Sequence, residues 1–217
     1  MRVDTTDAPL KEALLEAALD HVPFDGWSQA TFDAAVQDCA VSAELAEAVC
    51  PRGAVDLASA YHRRGDAQML AGLAAADLTD RRFRDKIALA VRLRIEASDI
   101  EMVRRGMTLF ALPYYAPDGT RLMWDTCDAI WNALGDTSED VNWYSKRISL
   151  SGVYAATVLF WLGDTSEGHA DSWEFLDRRV EDVMRIEKVK AGVRESKLLS
   201  GLLALPMAVL AQVKAPA

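Results

Sequence analysis

Trp143, Tyr144, Lys146 and Arg147 stand close together in one short stretch of the chain, and Asp140 and Asn142 precede them. This set is suited to binding rather than to bond-making. Large rings with a polar edge, mixed with guanidinium and ammonium groups, are the composition of protein-contact hot spots. We take Asp140, Asn142, Trp143, Tyr144, Lys146 and Arg147 as a candidate docking patch. The alternative is that both rings extend a core stripe, since amphipathic helices commonly bury aromatics in their first turn. Arg147 weighs against that alternative. At about 100° per residue it shares the Trp143 line, and an arginine is seldom buried without a partner.

Groups for catalysis are scattered. Asp99, Glu101, Asp125 and Asp128 have no histidine beside them, and no Glu-x-x-His pair, Gly-rich phosphate loop or nucleophile–base grouping occurs in the chain. Cys39, Cys50 and Cys127 lack metal-site or disulfide spacing, and His21, His62 and His169 lie far from them and from one another. The expectation is a protein that is not an enzyme and uses no cofactor or metal.

The elements that must position these residues are helices. Ser138 is placed to cap free amides, and Glu139 and Asp140 favour the positive end of a dipole, so a helix is predicted over 140–162. Its larger apolar residues, Leu150, Val153, Tyr154, Val158 and Trp161, recur at three- and four-residue steps. Other helices are predicted at 9–22, at 29–39 with Gly26-Trp27-Ser28 as its cap, at 42–49 opened by Val41-Ser42, and at 53–75, 79–97, 98–111, 119–134 and 168–186, with a turn at 113–119. The hexapeptide Leu-Gly-Asp-Thr-Ser-Glu occurs at 134–139 and again at 162–167, and reads as a helix stop followed by a cap. No segment alternates in the manner of a strand.

The helix at 119–134 carries Met123, Trp124, Cys127, Ile130 and Trp131 at helical spacing. With Leu109, Phe110, Tyr154, Val158 and Trp161 they make the wall of a candidate apolar pocket. Such stripes serve a packed core equally well, and periodicity does not separate packed from hollow.

A chain of 217 residues with 51% apolar content can bury a core, and its formal net charge is −9. The first 60 residues hold eleven acidic and three basic residues, a net of −8. Their short helices are laid out like a helix-turn-helix triplet and resemble the front of tetracycline-repressor-like regulators. Phosphate neutralisation supplies most non-specific DNA affinity, and the would-be recognition helix, Ala43 to Val49, carries two glutamates and no base. No nucleic-acid partner is expected. The basic run Arg81, Arg82, Arg84, Lys86, Arg92, Arg94, Arg104 and Arg105 reads as a solvated face paired with the acidic N-terminal part, or as an anion or membrane-headgroup surface.

At the other end, Lys188, Lys190, Arg194 and Lys197 precede Leu198, Leu199, Leu202 and Leu203 in an apolar stretch too short to span a bilayer. Cations beside leucines suit an amphipathic helix lying at a membrane surface. Packing on a dimer partner is the competing reading, and Gly201 and Pro206 predict a kink.

Asp140-Val141-Asn142-Trp143-Tyr144-Ser145-Lys146-Arg147, then Gly152-Val153-Tyr154, Asp164-Thr165-Ser166 and Trp173-Glu174-Phe175-Leu176-Asp177-Arg178-Arg179-Val180 resemble, in order and spacing, the signature of the COQ-nine family. These are lipid-binding accessory proteins of ubiquinone (coenzyme Q) biosynthesis. The likeness is strongest over 115–185. It implies an all-α, tetracycline-repressor-like helical bundle with a degenerate N-terminal helix-turn-helix (1–75), a lipid-binding and dimerisation bundle (76–186) and a C-terminal amphipathic membrane-contacting helix (187–217).

The implied partners are an isoprenoid or quinone lipid, whose polyprenyl tail the pocket would hold, and demethoxyubiquinone hydroxylase or another pathway enzyme. A homodimer and peripheral membrane contact are also implied. The N-terminus lacks a secretion signal or presequence, so the expected location is the bacterial cytoplasm, peripheral on the inner membrane. In eukaryotic relatives this becomes the matrix side of the mitochondrial inner membrane. A ligand-sensing transcription regulator of the tetracycline-repressor family is the alternative.

Overall fold

The computed structural model describes residues 7–195 and Ala215, with side chains over 8–185 and at Ala215. Among these residues there is no strand. The helices are α1 (Asp7–Asp25), α2 (Gln29–Asp38), α3 (Ala43–Val49), α4 (Ala54–Ala75), α5 (Phe83–Glu96), α6 (Ile100–Phe110), α7 (Ala116–Ala133), α8 (Val141–Trp161) and α9 (Ala170–Glu195). The expected all-α bundle is therefore observed.

Two compact units share the chain. One takes residues up to Gln68 together with Glu96–Met123, and the other takes Met69–Ile95 with Trp124 onward. The division expected at residue 75 is linear, whereas the observed one is interleaved, because α6 packs with the N-terminal helices. The Trp27 indole donates to the Met102 carbonyl at 3.2 Å, and Arg105 donates to the Pro23 carbonyl at 2.7 Å. The Tyr61 hydroxyl accepts from the Asp99 amide at 2.7 Å.

In this first unit α1 buries Leu14, Leu15, Ala18 and Val22. Gly26 turns the chain at φ +67°, a left-handed value that favours glycine. Ser28 caps α2 and Ser42 caps α3, each hydroxyl accepting a backbone amide at 3.3 Å, as the sequence predicted. The surface of α3 presents Glu44, Leu45 and Glu47. Helix α7 begins three residues earlier than predicted, at Ala116. Pro117 fits its first turn, where no amide donor is needed, and Gly119 allows close approach to α6. A Cβ there would sit 2.8 Å from the Phe110 Cβ.

In the second unit the predicted stripe of α8 is core: Leu150, Val153, Tyr154, Val158 and Trp161 are all buried. Arg82 and Arg84 of the basic run pair with Asp85, and Arg84 also reaches Glu181 of α9. Those partners lie within the second unit and not in the acidic N-terminal part.

The second copy of the hexapeptide secures α9. The Asp164 carboxylate accepts from the Ser166 amide at 2.8 Å and from the amide and hydroxyl of Ser172 in the first turn of α9. Hydrogen bonds from Ser166 and Ser172 hold this carboxyl well below the usual carboxylate range. Helix α9 continues past 186, where a boundary was expected, to Glu195. Lys188, Lys190 and Arg194 thus extend its backbone, while their side chains, and the membrane-binding candidates Lys197, Leu198, Leu199, Leu202 and Leu203, lie outside the described residues. No described helix is long and apolar enough to cross a membrane.

Candidate functional site

The α7–α8 connection is built from local chemistry. Gly135, at φ +79°, ends α7 in a Schellman motif: its amide donates to the Asn132 carbonyl at 3.1 Å, and the Asp136 amide donates to the Trp131 carbonyl at 3.0 Å. A Cβ on Gly135 would meet nothing, so backbone conformation alone selects glycine there. This motif fixes Asp136. Its Oδ1 then accepts from the Ser138 amide at 3.3 Å and hydroxyl at 2.8 Å, closing a turn.

Helix α8 is capped by Asp140, whose carboxylate accepts from the Asn142 amide at 2.9 Å. Ser138, the expected cap, is instead committed to Asp136 and to Lys146. Asn142 also donates its side-chain amide to Asp140 at 2.9 Å.

Two turns of α8 converge on that loop. The Lys146 ammonium donates to Asp136 Oδ1 and to the Ser138 hydroxyl, both at 2.6 Å. The Arg147 guanidinium donates to Asp128 Oδ1 at 2.6 Å, to Asp136 Oδ2 at 3.1 Å and to the Trp143 carbonyl at 3.0 Å. It also donates to Asn132 Oδ1 at 3.3 Å and lies 3.9 Å from the centre of the Trp143 ring.

Arg147 is only 1% exposed. The expectation that it belongs to an exposed docking surface is corrected: it is a buried, fully partnered cation, as burial of a charge demands. Burial alone would raise the Asp136 carboxyl. Hydrogen bonds from Lys146, Ser138 and Arg147 outweigh that and bring it down to about 2.

On the other side of this network lie the rings. Trp143, Tyr144 and Trp124 form a half-buried cluster with centroid separations of 5.6 Å for Trp124–Trp143, 6.4 Å for Trp124–Tyr144 and 4.8 Å for Trp143–Tyr144. Trp124, expected as a lipid wall, is thus part of the aromatic patch.

The second unit also holds a cavity of about 180 Å³ with an almost wholly apolar lining. Phe83 and Ile87 of α5, Trp131 of α7, Lys146, Ser149, Leu150 and Val153 of α8, and Val180, Val183 and Met184 of α9 line it. Phe83 and Trp131 meet at 5.6 Å, and the Lys146 ammonium stands 5.1 Å from the Trp131 ring centre.

Of the ten residues expected to bind lipid, Trp131 reaches this cavity. Cys127, Ile130, Tyr154, Val158 and Trp161 are buried in the second unit without lining it. Leu109 and Phe110 pack against the core of the first unit, and Met123 is half-buried there. Sequence reasoning missed the contributions of α5 and α9. Both helices were predicted, at 79–97 and 168–186, but which face each turns to α8 is a tertiary matter. Among the described residues no three His, Cys, Asp or Glu side chains cluster as a metal site.

Comparison with known proteins bears on this arrangement. The COQ9 family model matches residues 116–187, the segment that holds the network, the rings and much of the cavity wall. The rat protein named "Ubiquinone biosynthesis protein COQ9, mitochondrial" is 30% identical over 210 residues, covering 91% of this chain and 67% of its own length. This chain belongs to the COQ9 family. The human protein of the same name is 29% identical, covering 91% of this chain and 65% of its own length. A Dictyostelium discoideum protein, "Probable ubiquinone biosynthesis protein coq9, mitochondrial", is 28% identical over 86% of this chain and 64% of its own.

The chain spans about two thirds of the length of these relatives. A TetR transcriptional regulator from Nitrosomonas europaea superposes with a TM-score of 0.66 at 18% identity, covering 80% of this chain and 97% of that one. The fold is therefore TetR-like.

Proposed function

We propose that this COQ9-family chain is a non-catalytic, lipid-binding accessory protein of ubiquinone biosynthesis. It binds an isoprenoid or quinone intermediate and presents it to demethoxyubiquinone hydroxylase. The observation that carries the reading is the position of the apolar cavity: Lys146, Ser149, Leu150 and Val153 wall it from the same helix whose first turn carries Trp143 and Tyr144. A partner docked on those rings stands beside whatever the cavity holds. The names of the relatives, all ubiquinone biosynthesis proteins, supply the pathway.

The cavity is small. At about 180 Å³ it is close to the roughly 150 Å³ of an engineered cavity that takes up benzene. One ring or a short piece of chain fits, and the rest of a polyprenyl tail lies outside it. Homodimerisation and peripheral membrane contact through the basic and leucine-rich C-terminal segment, on the inner membrane of a bacterium, complete the proposal. The regulator alternative is disfavoured by the acidic surface of α3, where Glu44 and Glu47 are exposed.

Organic extraction of the purified full chain, with mass spectrometry of the extract, tests the lipid role. An isoprenoid or quinone is expected in the wild type and is expected to be lost in Val183→Trp, which fills the cavity from a half-buried position. A lipid-free protein that takes up no added short-chain ubiquinone refutes it. Pull-down of the hydroxylase tests the patch: the double variant Trp143→Ala, Tyr144→Ala should lose capture while keeping its helicity, and undiminished capture removes the rings from the interface.

A further inference from the structure

We propose that Asp136, which belongs to neither the aromatic patch nor the cavity lining, is the positioning residue that couples the two, so that a partner gripping Trp143 alters the cavity edge at Lys146. What the patch and the cavity hold rests on the function proposed above. The coupling itself rests on contacts. The Trp143 ring stacks on the Arg147 guanidinium at 3.9 Å. That guanidinium donates to one oxygen of Asp136 at 3.1 Å, and the Lys146 ammonium donates to the other at 2.6 Å. Lys146 lies over Trp131 at 5.1 Å, and both line the cavity. One carboxylate is thereby shared between a cation that supports the patch and a cation that edges the cavity.

Asp136 is suited to the part of pivot. Its backbone is pinned by the Schellman turn and its Oδ1 by Ser138, and its side chain is 2% exposed, so water does not screen the two arms from each other. Arg147 has other acceptors in Asp128, Asn132 and the Trp143 carbonyl. When a partner draws the Trp143 ring away, the guanidinium loses its stacking face and moves toward those acceptors. Asp136, no longer shared, draws the Lys146 ammonium off the Trp131 face, and the cavity edge changes. Linkage makes the effect reciprocal: an occupant that displaces Lys146 changes partner affinity by the same factor.

A mutant cycle read at the cavity measures this coupling. The full chain, labelled with 5-fluorotryptophan, gives fluorine resonances from its six tryptophans, and Trp131→Phe assigns the one at the cavity. Trp143→Ala is expected to displace the Trp131 resonance. In Lys146→Met or Asp136→Asn backgrounds that displacement is expected to be lost, apart from the through-space ring contribution common to all backgrounds. Asp136→Glu, which keeps the charge, is expected to restore it in part.

Lys146 is about one third exposed, so its variant keeps the cycle readable even where Asp136→Asn lowers stability. An equal displacement in every background, or none in the wild type, overturns the coupling. The readout uses neither lipid nor hydroxylase, so a failed extraction or pull-down leaves it standing, and a failed cycle beside a successful pull-down removes only the coupling.

Discussion

Replacing Arg147 by methionine separates a buried cation from a surface one by its cost. In the wild type the guanidinium makes four hydrogen-bonded contacts and one ring contact at 1% exposure. The methionine keeps most of the side-chain volume, so the loss is chiefly polar. Asp136, at 2% side-chain exposure, is left with Lys146 and Ser138, while Asp128, at 33%, recovers water.

Breaking a buried pair by removing one partner costs about 3–5 kcal/mol. The surviving Lys146 contact and the exposure of Asp128 place this case at the low end, and the lost ring stacking adds about 0.5–1 kcal/mol. The expected cost is about 3–4 kcal/mol. Lys146→Met, which removes a one-third exposed partner of the same carboxylate, is expected to cost about 1 kcal/mol. Urea unfolding followed by circular dichroism and tryptophan fluorescence measures both, the transition of the second unit being the one compared. A cost for Arg147→Met below about 1 kcal/mol, the range of ordinary surface substitutions, refutes the argument, as does one no larger than that of Lys146→Met.

Because the Asp136 carboxyl titrates near 2 in the folded chain against 3.8 ordinarily, its contribution is complete above about pH 5 and is lost as pH falls from about 4 through 2. The stability gap between wild type and Asp136→Asn should therefore narrow by about 2 kcal/mol over that window, and a gap independent of pH counts against the network. Gly119→Ala places a Cβ 2.8 Å from the Phe110 Cβ and is expected to destabilise the first unit by about 1–3 kcal/mol. Gly152→Ala, on an open face of α8, should stabilise by up to about 1 kcal/mol, and thermal melts of the pair distinguish close approach from mere helix propensity. Trp27→Phe removes the indole bond to the Met102 carbonyl and is expected to cost about 1 kcal/mol by the same assay. No loss there separates α6 from the anchoring assigned to it.

Local chemistry made most of the helices legible. Ser28 and Ser42 cap α2 and α3 where predicted, because a cap acts on amides two or three residues away. The stripe from Leu150 to Trp161 is buried as its spacing implied, because three- and four-residue steps fall on one face of any helix. The start of α7 was misplaced for an equally local reason: Pro117 and Gly119 read as turn residues, and only the approach of Phe110 shows that the glycine serves packing.

The sequence by itself determined the helical class, the caps and the buried side of α8, all of which depend on neighbours within one or two turns. It also carried the family signature, since the matched segment at 116–187 covers the Trp143 region. Tertiary structure decided the rest. Arg147 is buried because Asp128 and Asp136, 19 and 11 residues earlier, arrive beside it, and no periodicity encodes a partner at that separation. The cavity is walled from four helices of which α5 and α9 are nearly a hundred residues apart in sequence. Its existence depends on how closely those helices approach, which a pattern of apolar residues leaves open: the same stripe packs solid where neighbouring side chains interdigitate and stays hollow where they do not.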